Sequence, residues 1–150
     1  MSAHDDLLAR NRVILAHFDS YSTALVFARW GKTMFWPDAL PEGAQPMEAP
    51  AVVDAVYAPG PVHEAVVSAC GLIGDELAPA SDFNHWAQTE TGPVRIHLMR
   101  FTTFDAPKAL IDAAGAVFKP ISELRGTAMS ELVLLRAVFD LIIGAGGGRA

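Results

Sequence analysis

An α+β fold is expected from three features of the sequence: a hairpin signature at about 83–104, an apolar helical stripe at about 61–77, and a more apolar helix at about 127–143. The expected architecture is a small antiparallel sheet built on the central hairpin and packed against those two helices. A chain of 150 residues has a single-domain length and can bury a sizeable core, so one compact domain over 1–150 is expected.

The hairpin rests on Glu90-Thr91-Gly92-Pro93, a polar cluster between two runs rich in aromatic and β-branched residues. If those four residues form the loop, Gln88 faces Arg95, Trp86 faces His97 and Asn84 faces Met99. Side chains alternate along a strand, so one face carries Asn84, Trp86, Gln88, Arg95, His97 and Met99. The other carries His85, Ala87, Val94, Ile96 and Leu98. This second, more apolar face is expected in the core, and the first is expected to be wet.

The helix at 61–77 follows Ala58-Pro59-Gly60-Pro61, with proline suited to a first helical position. Val62, Ala65, Val66, Ala69, Leu72, Ile73 and Leu77 form its stripe. The last helix takes Thr127 or Ser130 as its N-cap, has Glu131 near its positive end, and stops at Gly144. Its apolar residues wrap much more than one side. The stretch 144–150 is expected to be a flexible tail.

Residues 5–30 are open between helix and strand. Leu7, Leu8, Ile14, Leu15, Phe18, Tyr21 and Leu25 recur at helical spacings, and Asp5 and Asp6 suit a helix start, which favours helix for the first part. Val13–Phe18 and Thr23–Trp30 also read as strands joined by a turn at 19–22. Four prolines between 37 and 50 indicate an irregular surface loop, and Trp30, Phe35 and Trp36 at its entry either wall a pocket or pin the loop to the core. Ala51–Tyr57 is expected to be a short strand. Asp105 is expected to cap a short helix from about Pro107 to Ala114 that exits at Gly115.

Composition narrows function. A formal net charge of −6 without a Lys/Arg cluster argues against nucleic-acid binding. The hydrophobic run Leu132–Ile143 is too short for a membrane span and contains Arg136 and Asp140, so a soluble protein is expected. The single cysteine, Cys70, fits a reducing cytoplasm and a buried structural thiol.

Two motif fragments fail on their spacing. Gly31-Lys32-Thr33 has Val26 where a phosphate loop needs glycine, and His63-Glu64 has Val67 where a zinc helix needs histidine. Metal sets could be drawn from His85 with Asp82, or from His97 with His63 and Glu64. The hairpin register, however, points His85 and His97 to opposite faces, so neither a metal nor another cofactor is expected. No catalytic motif is identified.

Two functions from different classes remain. The leading expectation is an accessory or interaction protein acting through assembly, a homodimer formed through the last helix, whose apolar surface exceeds what one small sheet can cover. The alternative is a binding protein or enzyme for a small anionic ligand, held on Asn84, Trp86, Gln88, Arg95 and His97 under the proline-rich loop.

Overall fold

A computed structural model describes residues 3–144 of the chain. The fold is α+β, with helices on both faces of an open, mostly antiparallel sheet. In chain order the elements are α1 (Ala3–Arg10), β1 (Asn11–Asp19), β2 (Ala24–Arg29), β3 (Gln45–Met47), α2 (Pro59–Cys70), β4 (Leu77–Pro79), β5 (His85–Thr89), β6 (Gly92–Phe101), α3 (Lys108–Ala114), β7 (Val117–Pro120) and α4 (Met129–Phe139). The strands run β3-β5-β6-β1-β2-β7, and β4 pairs with the far end of β6. Strands β1 and β6 lie parallel at the centre, from Asn11 beside Arg95 to His17 beside Phe101.

The start of the chain divides sharply between helix and strand. The helical spacing holds only through Arg10, where side chains close the helix. Asn11 Nδ2 donates to the Leu7 carbonyl at 2.9 Å and Arg12 Nη1 to the Leu8 carbonyl at 2.7 Å, so the last turn's carbonyls find partners. Val13, Ile14 and Leu15 then form a continuous apolar run with no exposed surface on either side, as expected of a parallel strand covered on both faces. The expectation of a longer helix is thus corrected, and the strand–turn–strand reading of 13–30 describes the chain. Asp19 Oδ1 forms the turn by accepting the Tyr21 amide at 2.9 Å.

Both sheet faces are packed. Val13, Leu15, Met99 and Phe101 meet Val62, Val66 and Cys70 of α2 and Ile111 of α3. On the opposite face Ile14, Phe27, Ile96 and Leu98 meet Leu135 and Val138 of α4. The expectation of one wet hairpin face therefore fails: His97 and Met99, assigned to it, are buried along with Trp86. The central pairing with β1 requires cover on both sides.

Helix boundaries also shift. Helix α2 ends at Cys70 because Gly71 adopts φ 65°, a left-handed cap that glycine takes without strain. Leu72, Ile73 and Leu77 extended the apolar spacing past that stop, and Leu77 instead begins β4. Neither Asp105 nor Thr127 nor Ser130 caps a helix; Pro107 and Ala128 occupy those cap positions without side-chain bonds. Helix α4 continues into a wider, π-helical turn at Asp140–Gly144. The tail expected at 144–150 lies, from residue 145 onward, outside the described residues. The proline-rich loop contains β3, where Pro46 is tolerated because the strand is at the sheet edge. Residues Ala55–Tyr57 form a short 3₁₀ turn in place of the expected strand.

Candidate functional site

The hairpin loop is two residues shorter than expected. Thr89 pairs with Gly92, Gln88 with Pro93, Trp86 with Arg95 and His85 with Ile96. Because the slide is two residues, every side chain keeps its face, but Trp86 stands opposite Arg95 and not His97.

The 3₁₀ turn covers the face carrying Trp86, Arg95 and His97. Tyr57 packs edge-on against Trp86 with centroids 4.8 Å apart, and its hydroxyl donates to the Pro93 carbonyl at 2.8 Å. Arg95 Nη1 donates to the Tyr57 carbonyl at 3.1 Å while its guanidinium lies 5.8 Å from the Trp86 ring centre. Trp86 Nε1 donates to Asn84 Oδ1 at 2.8 Å, and Gln88 is exposed near the hairpin turn. These contacts bring Trp86, Arg95 and Asn84 together as parts of the packing.

His97 is separate and belongs to a buried polar junction. Its Nε2 lies 2.7 Å from Asn11 Oδ1. Asn11 Nδ2 donates to the carbonyls of Leu7 and Val56, so its oxygen is left to accept from His97 Nε2–H. Asn11 thereby joins α1, the 3₁₀ turn and β6. Burial, with the nearby Arg95 charge, pushes the His97 pKa down to about 3, so the ring is neutral at pH 7.

Other residues weighed in the sequence have structural partners. His63 Nε2 lies 2.7 Å from the Leu77 carbonyl, and burial pushes the Cys70 thiol up to about 11. Among the described residues no three His, Cys, Asp or Glu side chains group as metal ligands.

An enclosed cleft lies largely on the opposite face of the sheet, between the proline-rich loop, β5, β6 and α4, with Trp86 among its lining residues. Its volume is about 440 Å³, within the range of small-molecule sites. Phe35 forms part of its floor, and Leu40, Ala87, Ile96, Leu134 and Ala137 are among its walls. The entry to the proline-rich loop thus contributes an aromatic to a cavity. A larger hollow of about 790 Å³ at the ends of β1 and β6 is lined by strand ends and the loops beside them and opens more broadly to solvent, with Asp19, Asp82 and Arg100 around it.

No protein-family model matches this chain, and no curated protein matches it significantly. The residues themselves therefore carry the functional reading.

Two polar residues in the cleft matter most. Glu131, 5% exposed in the first turn of α4, accepts the Met34 amide and the Thr33 hydroxyl, each at 2.7 Å. Those bonds tie α4 to the segment following β2. His85, half-buried and packed against Phe83 with centroids 4.5 Å apart, has its pKa pushed below the ordinary value by burial. Sequence reasoning placed Glu131 only as a helix-dipole residue and His85 on a core face. Their shared cleft depends on how loop 37–47 folds over α4, for which the sequence carries no local signal.

Proposed function

We propose that the protein binds a small molecule in the cleft between the proline-rich loop and α4. The observation that carries this reading is an apolar cavity of about 440 Å³ whose walls come from three separate parts of the chain. Such a cavity removes most of a small ligand's surface from water, and a few polar groups at its wall orient the ligand. The expected excess of apolar surface on the last helix acquires a use here. Leu135, Val138 and Ile142 pack into the core, while Val133, Leu134 and Ala137 line the cleft.

Filling the cleft provides the test. The neutral probe 4-phenylbutanol should bind the wild-type chain by calorimetry, and Ala137→Phe should weaken it about tenfold or more with little change in thermal midpoint. Equal binding by the two proteins would remove this reading.

A second reading, self-association through α4, is favoured by Met129 and Val133. They are 73% and 62% exposed, one helical turn apart. A homodimer covering them should dissociate on Val133→Lys, which sedimentation at several concentrations would detect. A monomer throughout that range for the wild type would contradict it. The lone buried cysteine supports a reducing compartment such as the cytoplasm, and the net charge of −6 supports a partner other than nucleic acid. No helix among the described residues is long and apolar enough to cross a membrane.

A further inference from the structure

The charges around the cleft have one sign. Its lining includes two acidic side chains, Glu42 on the loop and Glu131 on α4, and no lysine or arginine among the described residues. Glu131 sits where it is 5% exposed, and its two hydrogen bonds come from neutral donors. A carboxylate offers about four acceptor positions, so two hydrogen bonds leave it unsaturated. No ion pair involves either acid among the described residues.

Three sources of compensation are weaker than the acids. The N-terminus of α4 contributes only about half a positive charge. Arg12 reaches the Ala39 carbonyl at 3.4 Å, but it is also held by the Leu8 and Asn11 carbonyls and is not part of the lining. Burial lowers the His85 pKa below its ordinary value, which disfavours a positive charge there. Low-dielectric walls strengthen the field of the remaining negative charge inside the cavity.

Building on the cleft reading, we infer that the ligand is an apolar amine: a hydrocarbon or aromatic body that fills the cavity, with one protonated nitrogen held by the field of Glu131 and Glu42. This differs from the anionic ligand of the alternative sequence reading, whose anchor, Arg95, is packed against Trp86 and the Tyr57 carbonyl and does not line the cleft. The apolar body supplies affinity, and the charge selects among ligands of equal size.

Three probes with one skeleton test the inference: 4-phenylbutylamine, 4-phenylbutanol and 4-phenylbutyrate, titrated into the full chain at pH 7 and followed by backbone amide shifts. The amine should bind about tenfold more tightly than the alcohol, and the carboxylate most weakly. Raising the salt should narrow the spread. In Glu131→Gln the amine's advantage should fall to about threefold or less. Glu42→Gln, on the exposed loop, should reduce it in the same direction and serves if the α4 variant fails to fold.

Equal binding of amine and alcohol, or preference for the carboxylate, would overturn the charge inference while leaving the cleft reading intact. If none of the three probes shifts the cleft amides, both fail together.

Discussion

Asn11→Ala should destabilise the chain by about 3 kcal/mol, read as a lowered denaturant midpoint with an unchanged slope. The substitution removes a small side chain, yet it leaves three polar groups, one buried and two part-buried, without this partner. They are the His97 ring N–H and the carbonyls of Leu7 and Val56. Each unsatisfied buried group costs about 1–3 kcal/mol, partly recovered where the end of α1 can reach water. The loss is cooperative because one amide joins three segments. A double-mutant cycle with His97→Phe should return a coupling of about 1–2 kcal/mol, since the phenyl ring removes the donor that Asn11→Ala strands. Strict additivity of the two substitutions would show that the junction does not couple.

The second large effect is a loss of stability in mild acid. The His97 pKa in the native state lies at about 3, against an ordinary 6.5, because burial and then the Arg95 charge disfavour its protonated form. The unfolded chain takes up this proton near pH 6.5, and the native chain does not until far lower. Below pH 6.5 the unfolded state therefore holds more protons, so stability is fully present above that value and declines as pH falls toward 3. The slope is about 1.4 kcal/mol per pH unit for one proton, giving about 2 kcal/mol between pH 7 and pH 5. His85 contributes in the same direction, since burial lowers its pKa too. In His97→Gln, which can still donate to Asn11, most of that decline should vanish in urea titrations at pH 7, 6 and 5. An unchanged decline in the variant would place its origin elsewhere.

These two predictions rest on residues whose environment was only partly visible in the sequence. The hairpin, both long helices and the α+β class follow from local patterns: the Gly-Pro turn cluster, the apolar stripe after Pro61 and the run from Leu132. What was not legible is where long-range pairing overrides local preference. Ile14 and Leu15 fit a helix stripe and a buried strand equally well, and only pairing with Arg95–Phe101 selects the strand. That same pairing buries the face that alternation alone marked as wet, carrying His97 from expected solvent to 3% exposure.

The expected site residues keep their shared face because the register error was an even number. Asn84, Trp86, Arg95 and His97 nonetheless find backbone or side-chain partners within the chain, and the Ala55–Tyr57 turn that covers them was expected as a strand. The cleft was foreshadowed by the aromatic residues at the entry to the proline-rich loop, one of which, Phe35, lines it. Its composition depends on α4 packing beside β5, a contact between residues far apart in the chain.

The most direct test of the cleft is where a neutral ligand lands. Amide shifts should be recorded for the whole chain as 4-phenylbutanol is added. Binding in the proposed cleft predicts saturable changes confined to 39–47, 85–87 and 130–137, and their loss in Ala137→Phe. Changes centred instead on 78–82 and 100–104, around the open hollow at the ends of β1 and β6, would contradict the proposed site.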